Sequence, residues 1–174
     1  MHIRKATPDD ADTLAALLAD YLRESYPGHR GSSPEQLRRD VFGERSLHSV
    51  LFAETHDAVI GFVAWDLVYD MHWASRGAQI ADLFVIAPFR GLGVGLALVA
   101  SVAAEVLAEG GVFLRGSAYD RESTRRAYAR VAVVRPSGDT YLSARAFRRV
   151  AELANRPVRD ILRGLPPVEW NFTD

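Results

Sequence analysis

Ile80-Ala81-Asp82-Leu83-Phe84-Val85-Ile86-Ala87-Pro88-Phe89-Arg90-Gly91-Leu92-Gly93-Val94-Gly95 is the stretch that decides the fold. Residues 80–86 form an almost continuous apolar, β-favouring run, the pattern of a strand covered on both faces. Pro88 ends the ladder because it has no N–H to donate. Gly91, Gly93 and Gly95 remove side chains that would hold an anion away from the backbone amides, and over residues 95–109 the pattern turns helical. The first turn of that helix offers unpaired N–H groups and a positive dipole end to a phosphate, with Arg90 beside it.

Spacing excludes two familiar phosphate loops. A dinucleotide fingerprint, G-x-G-x-x-G, would need its last glycine where this chain has Leu96 or Leu98. A P-loop needs G-K-[ST], and the single lysine is Lys5. What remains is V-x-x-P-x-R-G-x-G-x-G, or else a plain strand–turn–helix whose glycines only reverse the chain. The extended motif resembles the pyrophosphate loop of the GNAT superfamily of N-acetyltransferases, [RQ]-x-x-G-x-[GA], filled here by Arg90, Gly93 and Gly95. The resemblance implies acetyl-CoA as co-substrate, held by Arg90, Gly91, Leu92, Gly93, Val94, Gly95 and Leu96.

A chain of 174 residues, 48% hydrophobic and 25% charged, suits one globular domain with a substantial core. No apolar run reaches membrane-spanning length and the first residues lack a signal-peptide core, so a cytoplasmic protein without membrane contact is expected. The absence of cysteine excludes disulfides, thiolate metal sites and a cysteine nucleophile. The five histidines form no H-x-x-x-H pair, so no metal is expected. A net charge of −1 hides an asymmetry: residues 1–114 carry nine basic and fifteen acidic groups, residues 115–163 twelve arginines and five acids. Such runs read as solvated helix faces, or as an acidic side for a cationic amine and a basic side for cofactor phosphates. The arginines fall in no recognised nucleic-acid motif, and no nucleic-acid partner is expected.

In chain order, residues 2–6 read as a strand. Thr7-Pro8-Asp9-Asp10 reads as a helix start, followed by Leu14, Leu17, Leu18, Tyr21 and Leu22 on one face. Ser33-Pro34-Glu35-Gln36 is a capping box opening a short helix through Phe42. Strands over 49–54 and 59–68 form a hairpin, and a longer link over 70–77 precedes the opening stretch. Gly110-Gly111 closes its helix. A strand over 112–118, a helix over 120–130, strands over 131–134 and 140–143, and helix near 147–154 complete the pattern, with 155–174 as a proline-bearing tail. The order β-α-α-β-β-β-α-β-α-β-β predicts an α/β (α+β) fold with a mixed, mostly antiparallel sheet flanked by helices. This is also the order of the GNAT fold, so the resemblance implies a single N-acetyltransferase domain over 1–174. Within the superfamily, residues 37–43, 80–95 and 128 onwards look most like the spermidine/diamine acetyltransferase subgroup.

The resemblance also implies site residues. Backbone groups of Leu83, Phe84 and Val85 would pair with the pantetheine arm, one N–H facing the thioester oxygen. Tyr128, in Tyr128-Ala129-Arg130-Val131-Ala132-Val133, resembles the family's Y-x-[KR]-x-G-F tyrosine, which protonates the departing thiolate. A phenol with an ordinary pKa of about 10 can donate at neutral pH. Ala132 and Val133 depart from that pattern, and Arg121, a cofactor contact, stands where many members have asparagine. The subgroup's base, a glutamate before the aspartate of L-E-D, is Ala81 here. Asp82 points to the opposite strand face, so either water with Glu54, Asp66 or Asp70 relays the proton, or the amine arrives by a different route. Glu24, Tyr26, Trp73 and Asp82 are substrate-side candidates.

The expected activity is transfer of acetyl from acetyl-CoA to a primary amine of a small molecule by direct attack. The alternatives are an inactive CoA-binding sensor or partner protein, and acetylation of a protein N-terminus or lysine. The subgroup and the apolar tail Leu165-Pro166-Pro167-Val168-Glu169-Trp170 allow a homodimer.

Overall fold

The computed structural model describes residues 1–46, 48–117, 125, 126, 128–135 and 139–164. Strand β1 (His2–Lys5) leads through a 3-10 turn (Pro8–Asp10) into α1 (Ala11–Ser25) and α2 (Pro34–Asp40). Strands β2 (Ser49–Glu54), β3 (Val59–Asp70) and β4 (Ser75–Val85) follow, then a 3-10 turn (Ala87–Phe89) and α3 (Val94–Ala108). Strands β5 (Phe113–Ser117), β6 (Val133–Val134) and β7 (Asp139–Ser143) precede α4 (Ala144–Glu152) and α5 (Val158–Arg163). The sheet runs β1-β2-β3-β4-β5-β7-β6. Its β4–β5 pair is parallel, and β1–β2, β2–β3, β5–β7 and β6–β7 are antiparallel. This is the expected mixed, mostly antiparallel sheet flanked by helices.

Backbone contacts gather into two compact units: Met1–Trp65 with Asp82–Leu98, and Asp66–Ala81 with Val99–Asp174. In the first, the register sets Phe52 opposite Phe62 and Val50 opposite Ala64, so these four side chains share a sheet face. Leu14 and Leu17 of α1, Leu37 of α2 and Phe84 of β4 complete that core. The helical spacing at 14, 17, 18 and 21 therefore buries the face it marks, at roughly 1.5–3 kcal/mol for each fully buried Leu or Phe. Arg4 clamps the entry of α1. Its guanidinium donates to both oxygens of Asp10, each at 2.8 Å, and to Glu54 at 2.8 Å. The Arg4 hydrogen bonds hold the Asp10 carboxyl well below the usual carboxylate range. The capping box forms as expected: Ser33 N–H donates to Gln36 Oε1 at 2.8 Å and Gln36 N–H to Ser33 Oγ at 3.3 Å.

The second unit buries Val102, Ala103 and Val106 of α3, Phe113 and Leu114 of β5, Leu142 of β7, and Phe147 and Val150 of α4. Four expectations need correction here. The link over 70–77 shrinks to residues 71–74, because Asp70 Oδ1 accepts the N–H groups of His72 (3.0 Å) and Trp73 (3.1 Å) and so caps a tight turn. The tail is helical over Val158–Arg163, since Pro157, with φ −53°, opens a helix instead of breaking one. Residues 131 and 132 continue a helical turn, their N–H groups donating to the Tyr128 carbonyl at 2.9 and 2.8 Å, and only Val133–Val134 is strand. The helix expected near 147–154 starts at Ala144 and ends at Glu152.

Candidate active site

In the first unit β4 delivers the chain to the glycine loop. Its register with β5 consists of Ala78↔Leu114 and Gln79↔Arg115, well before β4 ends at Val85. On the other edge Ile86 N–H donates to the Ile60 carbonyl at 3.0 Å, so β3 supports β4 to its end. The 3-10 turn then aims the chain away, with Arg90 N–H donating to the Ala87 carbonyl at 3.2 Å.

Gly91 (φ +75°) and Gly93 (φ +84°) take left-handed conformations that L-residues rarely adopt, and Leu92 between them is exposed. Ala97 N–H donates to the Gly93 carbonyl at 3.0 Å. The amides of Val94, Gly95 and Leu96 therefore precede that intrahelical bond and point out of the helix end. Gly95 is not among the left-handed glycines, and a Cβ there would meet only Leu83 Cδ2 at an ordinary 3.5 Å. Neither backbone nor packing demands glycine at 95. What its absent side chain leaves open is the approach to the helix N-terminus, where an anion is stabilised.

Phe84 is buried, its ring against Tyr21 (5.7 Å) and Phe62 (6.3 Å). It can offer a ligand its backbone, not its side chain. Asp82, two positions earlier, lies on the same strand face. Tyr21 serves both: its ring meets Phe84, and its hydroxyl interacts with Asp82 and Tyr26. Burial raises the Asp82 carboxyl above its ordinary pKa, partly offset by the hydrogen-bonding pull of Tyr21 and the charge of His48. Burial likewise drives the Tyr21 hydroxyl upward, so it stays a donor.

Arg90 does not reach into the glycine loop. Its Nε donates to the Val85 carbonyl at 2.7 Å, Nη2 lies 3.0 and 2.8 Å from the Glu24 oxygens, and the guanidinium sits 5.3 Å from the Phe84 ring centroid. Glu24 is thereby an ion-pair partner of the loop arginine.

In the second unit Tyr128 is half-buried, and burial pushes its hydroxyl up to about 12. Trp73 is exposed on the β3–β4 turn. Two of the alternative proton routes are engaged: Glu54 by Arg4, and Asp70 by the turn amides and by Arg115 at 3.8 Å. Arg121 lies outside the described residues. The residues that sequence reasoning missed are Tyr21, read as part of an apolar helix face, and His48. A tyrosine at the end of such a face carries a polar handle, which was the available signal.

A family model for the acetyltransferase (GNAT) family matches residues 15–132. The chain belongs to the GNAT family. This GNAT N-acetyltransferase is 27% identical over 117 residues to the thialysine N-epsilon-acetyltransferase of Mus musculus, across 62% of this chain and 68% of that protein. The enzyme of the same name from Bos taurus is 30% identical over 129 residues, across 68% and 74%. Both accord with the spermidine/diamine acetyltransferase-like placement. Among solved structures, the ribosomal-protein-alanine N-acetyltransferase from Brucella melitensis biovar Abortus 2308 shares the fold. Its TM-score is 0.64 at 20% identity, over 78% of this chain and 94% of that one. The family uses acetyl-CoA as co-substrate. No helix among the described residues is long and apolar enough to cross a membrane.

Proposed function

We propose that this N-acetyltransferase works as one domain and moves acetyl from acetyl-CoA to a primary amine of a small molecule by direct attack. The observation that carries this reading is Gly95, a glycine that neither backbone nor packing requires, at the N-terminus of a helix fed by two left-handed glycines. Such a cradle fits a pyrophosphate. The Val94, Gly95 and Leu96 amides bind it, and the helix dipole adds to the attraction. The Leu83–Val85 backbone aligns the thioester arm. One fixed amide facing the thioester oxygen supplies oxyanion stabilisation, worth roughly 3–4 kcal/mol in other enzymes.

The acceptor nitrogen bonds to the acetyl carbon, the carbon–sulfur bond breaks, and the sulfur leaves with the bonding pair. Tyr128, kept protonated by burial, gives that sulfur a proton. Asp82, with Tyr21 donating to it, anchors the ammonium form of the acceptor and receives its first proton; the second, shed by nitrogen as the amide forms, restores the Tyr128 hydroxyl through water. The amine acceptors named by the thialysine relatives support this class of substrate.

The test is calorimetric titration with acetyl-CoA, then thiol release over a panel of primary amines. Absence of acyl-CoA binding at millimolar concentration would overturn the reading. Binding without turnover on any amine would favour a CoA-dependent sensor.

A further inference from the structure

Strand β3 changes character part-way along. Val63 and Trp65 are buried, whereas Leu67 and Tyr69, next in the same alternation and so on the same strand face, are 53% and 59% exposed. Met71 and Trp73 continue the apolar run into the β3–β4 turn, at 85% and 45% exposed. None of the four is charged. The acids of the segment, Asp66 and Asp70, fall on the other strand face, and Asp70 is engaged by the turn amides and by Arg115.

The turn that carries this run is braced. Asp70 Oδ1 accepts the N–H groups of His72 and Trp73, and Ser75 Oγ donates to the Trp73 carbonyl at 2.8 Å. Side chains mounted on a fixed turn lose little backbone freedom when they are covered. Monomeric proteins seldom leave such an apolar run open, and Tyr, Trp and Met are the side chains enriched in interface cores. Area and charge narrow the choice of cover. At these exposures the four side chains present on the order of 500 Å² per chain. Two chains face to face would bury on the order of 1,000 Å², the threshold of a specific interface. An uncharged run set against its own copy brings no like charges together and buries no unpaired charge, whereas a charged partner would have to desolvate its charges against apolar groups.

We propose that this hairpin face is the interface of a two-fold homodimer, with the run over residues 67–73 of one protomer lying antiparallel on that of its partner. Each surface meets its own copy, so the contact closes at two chains instead of growing into a filament. The inference concerns assembly and does not rest on the acetyltransferase reading.

The experiment is sedimentation equilibrium of the full chain from micromolar to hundred-micromolar concentration, on wild type, Leu67→Asp, Tyr69→Asp and Tyr69→Phe. Wild type should approach twice the 19.2 kDa of one chain. Each substitution to aspartate places an unpaired charge in the contact and should weaken association about a hundredfold or more, leaving monomer. Tyr69→Phe keeps the apolar surface and should stay dimeric. Circular dichroism checks that every variant folds. Because the chain has no cysteine, Met71→Cys supplies a single thiol, and His56→Cys does the same on the β2–β3 turn, where that side chain is exposed. A short bismaleimide should join Met71→Cys chains into covalent dimers and leave His56→Cys chains single. A monomeric wild type, a dimer that survives both substitutions to aspartate, or cross-linking at position 71 no greater than at position 56 would each overturn the interface.

Discussion

Glu24→Gln removes one charge and nearly nothing else, and it separates two roles for Arg90. In the structure that guanidinium is shared among Glu24, the Val85 carbonyl and the Phe84 ring. With Nε and Nη2 held by Val85 and Glu24, this arginine can turn its full fork to a phosphate only by breaking the pair. The two side chains are 39% and 35% exposed, and a pair so open to solvent is worth at most about 1 kcal/mol. Removing it should cost no more than about 2–4 °C of melting temperature in a domain of this size. The same free energy, no longer opposing ligand contact, should tighten acetyl-CoA binding by up to about fivefold. Calorimetric titration of wild type and Glu24→Gln measures the ratio. Repeating it near 0.5 M salt, where the Debye length falls to about 4 Å, should shrink the difference. An affinity that is unchanged or weaker in Glu24→Gln would show that Arg90 braces β4 to α1 and does not bind the ligand.

Three other outcomes follow from the same geometry. Tyr128→Phe should leave acetyl-CoA affinity intact and lower kcat about 100-fold or more, as removal of a general acid does; with the hydroxyl near 12, wild-type activity should show no alkaline loss from this group below about pH 11. Asp82→Asn should raise KM for the amine. Since burial raises the Asp82 pKa, wild-type kcat/KM should fall, as pH drops, at a higher pH than an ordinary carboxylate would give, and the variant should lose that acid limb. Asp10→Asn should destabilise the fold by about 1–2 kcal/mol, through loss of one side of a two-pronged ion pair that is only partly exposed. Because the Asp10 pKa is lowered on folding, that contribution is complete above the ordinary carboxylate range and fades as pH falls below it; denaturant midpoints of wild type and variant should differ at neutral pH and converge in acid.

Legibility in the sequence followed the range of the interactions. Residues 80–95 were readable because each character there obeys a local rule: the apolar run, the proline, the left-handed glycines and the helix start all act within a few positions. The α1 face and the Ser33 capping box were readable for the same reason. The β3–β4 turn was misjudged because Asp70 caps it through its side chain, and composition alone does not reveal which aspartate will do so. Residues 155–174 were read only as a proline-bearing tail, and the short helix over Val158–Arg163 that follows Pro157 was not foreseen. At the site, the helix-end amides were legible, since backbone geometry follows from the motif. Partnerships were not. Arg90 shows its charge in the sequence but not its attachment to Glu24, and nothing adjacent to Tyr21 announces that its hydroxyl will meet Asp82. Such pairs exist only once the strands are in register.

The short parallel register between β4 and β5 has a kinetic consequence. Gln79 and Arg115 are 36 positions apart, whereas Glu54 and Val59 meet across a hairpin turn. Logarithmic loop-closure entropy makes the longer link costlier by about 2 kcal/mol, with only two residue pairs to offset it. The hairpins should therefore form early and the parallel pairing late. The glycine loop and α3 both lie inside the segment this pairing closes. On a ribosome, then, the glycine loop and α3 are made before the parallel pairing that encloses them can form, because that pairing waits for β5 to emerge.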